Sequence, residues 1–405
     1  MQKEFIPNRT ALITLIAACT VVIISLGIRQ TFGLFFFDFE IDLGSTQTEF
    51  GFAMGVQLLF WGLFGPIFGI ITDKFGGSKA IFAGFILYLA GIYLLINGPN
   101  EGFWFTFDIG ILIGIGLGAT AISIPVSIVA KHFPPETRSM AAGIVTAVGS
   151  FGYFISPMYT RYALIEYGWE TTLVIFSVLI FIGLIVSFFI TTPMKDFSQT
   201  FENNQTAIQA IKEAFGNKSF NYLTLGFFVC GWHIALVATH IPMHIRDNGL
   251  AEWTATAILA LIGLFNILGT LTSGYLSSRM SKKKLLSTIY LLRGVSLAFF
   301  IFMPPSIISS LVFGVTFGFL WLATVPPTNG IVSHIFGTKY LTLLYGFVFL
   351  SHQVGSFLGA YLGGLFHDLY GSLDYAWYIS IALSLFAGLI HLPIKEQQIV
   401  RTQVA

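Results

Sequence analysis

Long apolar runs, each closed by charge, proline or glycine, recur along the whole chain. Twelve of them lie at residues 11–37, 50–71, 78–97, 103–130, 139–160, 171–192, 219–243, 254–276, 284–302, 308–334, 341–364 and 374–393. A hydrocarbon core of about 30 Å is crossed by roughly 20 residues of helix, so each run predicts one membrane span. The expected fold class is therefore an all-α membrane protein with 12 transmembrane helices. The first run is too long for the apolar core of a secretion signal and lacks a small-residue cleavage site, so no cleaved leader is expected. The longest polar interruption, residues 193–217, leaves six runs on either side.

The two sets of six echo one another. Gly27-Ile28-Arg29 falls 204 residues before Gly231-Trp232-His233, and Asp42-Leu43-Gly44 is matched by Asp247-Asn248-Gly249. Gly69-Ile70-Ile71-Thr72-Asp73-Lys74-Phe75-Gly76 has a degraded copy in Gly274-Tyr275-Leu276-Ser277-Ser278-Arg279-Met280-Ser281, and His132 pairs with His334 at 202 residues. Several matches at nearly one offset predict two pseudo-symmetric six-helix halves. The expected division is an N-terminal half at 1–192, a cytoplasmic linker at 193–218 and a C-terminal half at 219–405.

Charge orients and narrows this picture. The 405 residues hold 20 Lys and Arg and 19 Asp and Glu, against 43 Phe, which leaves too little polar surface for a water-soluble globule. A net charge of +1 argues against a nucleic-acid partner. The only cysteines, Cys19 and Cys230, lie in apolar runs, which excludes a disulfide scaffold. With the N-terminus inside, 16 of the 20 basic residues fall in cytoplasmic segments, from Lys3 and Arg9 through Lys195 to Lys395 and Arg401. Only Arg161 and Arg246 fall outside, so both termini are expected to be cytoplasmic in a multi-pass protein of the cytoplasmic, or inner, membrane.

The loop Gly69 to Lys79 resembles the signature loop of the major facilitator superfamily between spans 2 and 3. Gly69, Asp73, Lys74, Gly76 and Lys79 match its glycine, acid, base, glycine and further base. The span 8–9 copy keeps Arg279 but has Ser278 where an acid is expected. Three further runs, Leu26 to Gly33, Ala238 to Pro242 and Ser351 to Phe357, resemble the bacterial branch related to monocarboxylate porters and oxalate–formate antiporters. The resemblance implies the major facilitator fold, a small organic anion as substrate, and Asp73/Lys74 acting as a conformational latch with Arg279.

Polar groups at bilayer depth supply the candidate chemistry. An ionised side chain there costs at least about 2.5–3.5 kcal/mol by insertion scales and is kept only against protein or water. Arg29 lies about eight residues inside span 1, with Gln30 beside it; a guanidinium fork suits a carboxylate, while the bland alternative is an arginine bound to backbone carbonyls. His233 occupies the echoing position of span 7, where it would face Arg29 across one cavity; the bland alternative for His233 and His240 alike is an ordinary histidine between helices. His352 and Gln353 in span 11, with Gln57, Asn266 and Asn329 in spans 2, 8 and 10, complete the expected substrate-binding set, although Gln57, Asn266 and Asn329 suit helix–helix hydrogen bonds equally. Arg293, on span 9, is expected to be structural and turned towards span 8 or 10. Asp108, six residues into span 4, is the carboxylate able to carry a coupled proton and to approach Arg29; His240 is the weaker candidate for that role.

No metal-ligand cluster is apparent, and no cofactor is expected. The leading expectation is a secondary transporter, monomeric in the bilayer, that moves a small organic anion, in first place a monocarboxylate, by alternating access with possible proton coupling. A carrier for an uncharged or cationic solute is the alternative. A multi-span enzyme lacks a nucleophile with base and orienter. A receptor would bring a soluble output domain, and no loop exceeds about 25 residues, short of the usual domain minimum of about 50.

Overall fold

The computed structural model describes residues 9–99, 102–191, 205–337 and 339–399. Lys3, Lys195, Arg401 and all of residues 193–204 of the expected linker lie outside them. The described residues form apolar helices in the expected order. We label them α1 (Arg9–Leu43), α2 (Gln47–Phe75), α3 (Gly77–Asn97), α4 (Phe103–His132), α5 (135–167), α6 (169–187), α7 (Lys218–Asp247), α8 (Trp253–Ser277), α9 (Lys282–Phe302), α10 (Ile307–Phe336), α11 (Leu341–Tyr370) and α12 (Asp374–Ile390). A short amphipathic helix, Ala207–Gly216, precedes α7 and opens on a capping box formed by Thr206 and Gln209.

Helix ends depart from the run boundaries where turn chemistry overrides hydropathy. The first span passes through a 3₁₀ turn at Phe32–Phe35 and continues to Leu43, because Phe36 and Phe39 carry its buried face onward until Gly44 ends it at φ 65°. The fifth and sixth spans run on almost continuously, divided only by Gly168 at φ 77°, a conformation that favours glycine. α12 has only 17 residues.

Packing repeats the internal echo. Gly27 of α1 meets Ser156 of α5, as Gly231 of α7 meets Ser356 of α11. Gly110 of α4 sits on Ala53 and Val56 of α2, and Gly114 on Gln57; Gly314 of α10 sits on Ile258 and Leu261 of α8, and Gly318 on Ile262. The partners are displaced by 200 to 205 residues throughout, so the same close helix crossings are built twice. Large apolar side chains with no partner, such as Val178, Phe181, Leu268, Val295 and Leu385, point outward, which a bilayer rewards and water does not.

α4 and α10 are both interrupted at depth. α4 contains a π-helical stretch, Thr106–Leu112, and bends at 121–122 before Pro125. α10 unwinds over Trp321 to Thr324 and restarts at Val325, with Pro326 and Pro327 in its first turn, where the missing N–H groups cost nothing. Broken backbone in hydrocarbon survives only when other side chains satisfy it. Here they do. Asn266 Oδ1 of α8 accepts the Leu322 N–H at 3.0 Å, Ser273 donates to Ala323 O, and Arg293 of α9 donates to the Leu320 and Trp321 carbonyls.

The membrane ends differ in charge. Lys74, Lys79, Lys131 and Lys282 to Lys284 lie at one, the basic end; Glu40, Asp42, Asp247, Glu252 and Asp368 lie at the other, the acidic end. The first and last six spans are tied together at the acidic end. Asp368 of α11 accepts the Gln47 and Thr48 N–H groups of α2 at 3.3 and 2.7 Å, Arg246 of α7 meets Glu40 of α1 at 2.9 Å, and Arg161 of α5 meets Glu252 before α8 at 3.4 Å. At the basic end the described ties, such as Asp73 with Lys131 and Glu396 with Ser281, stay within one set of six. The molecule is sealed on its acidic side.

Candidate functional site

Arg29 sits in the last turn of regular helix in α1, before the 3₁₀ turn, and is 3% exposed. Its Nε and Nη2 are buried and have no hydrogen-bond partner. The ionisable groups that act on its charge are the tyrosines Tyr153 of α5 and Tyr88 of α3, and no carboxylate is among them. Gln30 beside it is equally buried, and both atoms of its amide lack partners. A guanidinium in hydrocarbon with open donors and no counter-charge is unfinished chemistry.

Arg293 has more of its donors met, with Nη1 alone left unpartnered. It is fully buried, and its Nε and Nη2 both donate to Leu320 O, at 3.1 and 2.7 Å, with Nη2 also reaching Trp321 O. The negative end of the first half of α10 thus meets a positive charge, and the guanidinium also lies over the Tyr290 and Phe317 rings at 5.3 and 5.9 Å. It turns inward against α10, one of its two expected neighbours.

The expected arrangement of His233 facing Arg29 across a cavity is not what the side chains adopt. His233 Nε2 lies 2.9 Å from Ser380 O and 3.3 Å from Ser384 Oγ, both on α12, and its ring stands edge-on to Phe317. It is a bond between neighbours within the second set of six helices. His240 likewise bonds neighbouring helices. Its Nε2 is 2.7 Å from Ala360 O and its Nδ1 is 3.2 Å from Gln47 Oε1, so it pins α7, α11 and α2 together in the acidic-end seal.

Three of the remaining amides also join helices. Gln353 donates to Leu58 O at 2.7 Å, tying α11 to α2, and Asn266 donates to Ser150 Oγ at 2.9 Å, tying α8 to α5. Gln57 donates to Ile109 O of α4 at 3.0 Å, which leaves its Oε1 buried and unbonded. Asn329 lies half-buried in the restarted part of α10. His352 Nδ1 bonds Gln353 Oε1 at 3.0 Å, and the ring stacks on Phe349 and packs against Phe227. Beside it Cys230 Sγ meets Thr324 Oγ1 at 3.2 Å, at the foot of the α10 break.

Asp108 does not meet Arg29. It is 1% exposed in the π-helical stretch of α4, and both carboxylate oxygens lack hydrogen-bond partners. The π-helical turn, which shifts side chains out of the α register, puts it there.

In the signature loop, Gly76 ends α2 at φ 92° and so makes the turn, whereas the space around Gly69 is open. Asp73 binds Lys131 at the foot of α4, 2.8 Å away, while Lys74 and Lys79 are exposed. An exposed pair of this kind is worth about 0–1 kcal/mol, weak enough to be exchanged. Arg279 in the degraded copy lies over the Tyr275 ring at 4.3 Å. A carboxylate from elsewhere in the chain reaches the far end of this loop. Glu396, beyond α12, accepts from Ser281 Oγ and the Lys283 N–H at 2.8 and 2.7 Å. Burial works to raise its carboxyl, but those donors and the neighbouring Lys282 outweigh it and hold it below the usual carboxylate range.

Tyr88 and Asp368 escaped the sequence reading. Tyr88 looked like one aromatic among many, and Asp368 like a loop acid, since neither carries a mark of its spatial neighbours.

The paired six-helix packing, the two broken spans and the glycine turn after Asp73 converge on one architecture. Residues 10–349 match the family model of the Major Facilitator Superfamily. The chain belongs to that superfamily. It shares 24% identity over 370 residues with the uncharacterized MFS-type transporter YcxA of Bacillus subtilis, covering 83% of this chain and 88% of the relative. Identity to monocarboxylate transporter 13 of Bos taurus is also 24%, over 91% of this chain and 85% of the relative, and the multi-drug resistance efflux pump PmrA of Streptococcus pneumoniae is 23% identical over 88% and 91%. Among solved structures, a bacterial homologue of the human lysosomal transporter Spinster, crystallised inward-facing and unoccupied, superposes with a TM-score of 0.72 at 15% identity over 96% of this chain and 99% of its own. The Escherichia coli fucose:proton symporter gives 0.61 at 14% identity over 95% and 98%. The protein is a multi-pass membrane transporter of the major facilitator fold.

Proposed function

We propose that this transporter is a secondary carrier that moves a small organic anion, in first place a monocarboxylate, across the cytoplasmic membrane by alternating access. The observation that carries this reading is the contrast between two arginines. Arg293 gives Nε and Nη2 to the carbonyls of α10 and leaves Nη1 alone unpartnered, whereas Arg29 keeps both Nε and Nη2 buried and unpartnered, with no carboxylate bonded to it. A bound carboxylate supplies what Arg29 lacks, through the two parallel bonds a guanidinium offers. The bovine relative, a monocarboxylate transporter, is in keeping with this class.

In this reading residues 1–192 and 219–405 are the rocking halves, joined by 193–218, with both termini and the basic end cytoplasmic. The acidic-end seal then makes this an inward-facing state, and Asp73 changes partner as the halves move. We assign proton coupling to Asp108, whose oxygens are buried without donors. The efflux pump among the relatives supports a second reading, a carrier for an uncharged or cationic solute.

Uptake into proteoliposomes separates the two. Small monocarboxylates should compete for transport and raise the melting temperature in detergent, and their amides should do neither. Arg29→Ala should abolish uptake in protein that still inserts and elutes as a folded species. Transport retained by Arg29→Ala, or equal competition by amides, would overturn the anion reading.

A further inference from the structure

Two more unused donors surround Arg29. Ser25 lies one helical turn earlier on the same face of α1; it is fully buried, and its hydroxyl has no partner. Tyr88 of α3 is fully buried with its hydroxyl also unpartnered, and it lies within electrostatic range of Arg29. α4 fixes the base of Tyr88 from behind, since Gly116 approaches so closely that a Cβ there would lie 3.1 Å from the Tyr88 nitrogen and 3.3 Å from its Cβ.

The internal repeat explains why these donors are idle. A displacement of 204 residues takes Arg29 to His233, and one of 205 takes Tyr88 to Arg293, a pair that also interacts electrostatically. The second half therefore fills the same two slots with a histidine and an arginine. There the cation is neutralised by Leu320 and Trp321, whose carbonyls are freed because α10 unwinds at that level. The equivalents on α4 are Gly116 and Leu117. Their carbonyls are already taken, by Thr120 Oγ1 at 3.0 Å and by the Ala121 N–H at 2.9 Å, because α4 stays helical through Thr120. The first half therefore holds a guanidinium and two hydroxyls that bond to none of the described acceptors, the open oxygens of Gln30, Gln57 and Asp108 included.

We infer that Tyr88, with Ser25 behind it, completes a single-anion clamp with Arg29 and selects monoanionic carboxylates over dianions. This rests on the carboxylate reading above. The guanidinium takes the carboxylate edge, and the Tyr88 hydroxyl donates to one of the same oxygens. One cation and neutral hydroxyls balance one negative charge; a second carboxylate on the ligand would be carried into the site without a counter-charge.

The test uses the whole purified protein, with acetate, lactate and pyruvate as monoanions, their amides, and malonate and succinate at pH 7.5. Tyr88→Phe keeps the ring against α4 and removes only the donor. The expected result is an apparent Kd about tenfold or more weaker for the best monoanion, as befits one hydrogen bond to a charged group, with KM raised, maximal rate kept and the ligand-free melting temperature unchanged. Ser25→Ala should give a smaller loss in the same direction, and malonate and succinate should not stabilise the wild type. If no monoanion stabilises or is transported by the wild type, the carboxylate reading itself fails and the clamp fails with it. If the wild type binds a monoanion and Tyr88→Phe binds it equally well, the clamp alone is wrong. Dianions that stabilise the wild type as strongly as monoanions overturn the charge selection.

Discussion

At the scale of single residues, the two buried arginines should respond oppositely to truncation. Removing Arg293 leaves the Leu320 and Trp321 carbonyls in a dry interior without donors, at about 1–3 kcal/mol each. Arg293→Ala should therefore lower the melting temperature in detergent by many degrees or abolish folded expression. Removing Arg29 deletes an uncompensated charge, so Arg29→Ala should be neutral or stabilising in the absence of ligand while binding is lost. A thermal-unfolding comparison of the two variants decides the matter, and equal destabilisation would contradict the assignment of one as structural and the other as open. Both arginines were legible in the sequence as rare charges at bilayer depth. What could not be read was the fate of their donors, because that depends on whether the neighbouring span is broken at the same level. His233 illustrates the same limit: periodicity placed it on a face of α7, but a helix has several faces within a bundle, and this one looks at α12.

At the scale of helices, run length and flanking charge were enough to find every span, since the bilayer imposes a single length requirement. Ends and breaks were harder, being set by local chemistry. Pro326 and Pro327 signalled a break in α10, yet the unwound residues are the four before Val325, because proline fits the first turn of the restarted helix. α11 ran six residues beyond its apolar run, and the extension carries Asp368 to the N-terminus of α2. That carboxylate does across the two halves what an N-cap does within one helix, where the loss of such an acceptor costs about 0.5–2 kcal/mol. Asp368→Ala should weaken the acidic-end seal by a similar amount and shift the closed-to-open ratio there by about twofold to thirtyfold. Distances between spin labels placed at the acidic ends of α2 and α11 report that ratio. An unchanged distance distribution would show that the seal is held by Arg246, Glu40 and His240 without Asp368.

At the scale of the whole molecule, glycines fall into two classes that the sequence cannot distinguish. Gly231 of α7 packs against His352 and Ser356 of α11, within one half, and that contact persists in any state that rocks the halves as units. Gly33 of α1 packs against the carbonyls of Ala238 and Thr239 of α7, across the halves and in the part of the molecule that the acidic-end ties hold shut. A side chain at Gly231 has nowhere to go in any conformation, so Gly231→Val should misfold and fail to elute as a single species from size-exclusion chromatography. A side chain at Gly33 clashes only while the acidic end is closed. Gly33→Val should therefore fold, keep a ligand-free melting temperature close to that of the wild type, and lose net transport because the carrier stops with its acidic end apart. Cysteine reporters give the reading: at positions lining the acidic-end seal, labelling by an impermeant maleimide should rise, and at the basic end it should fall. If Gly33→Val instead misfolds as Gly231→Val does, the α1–α7 contact belongs to the permanent core, and the two halves do not part there during transport.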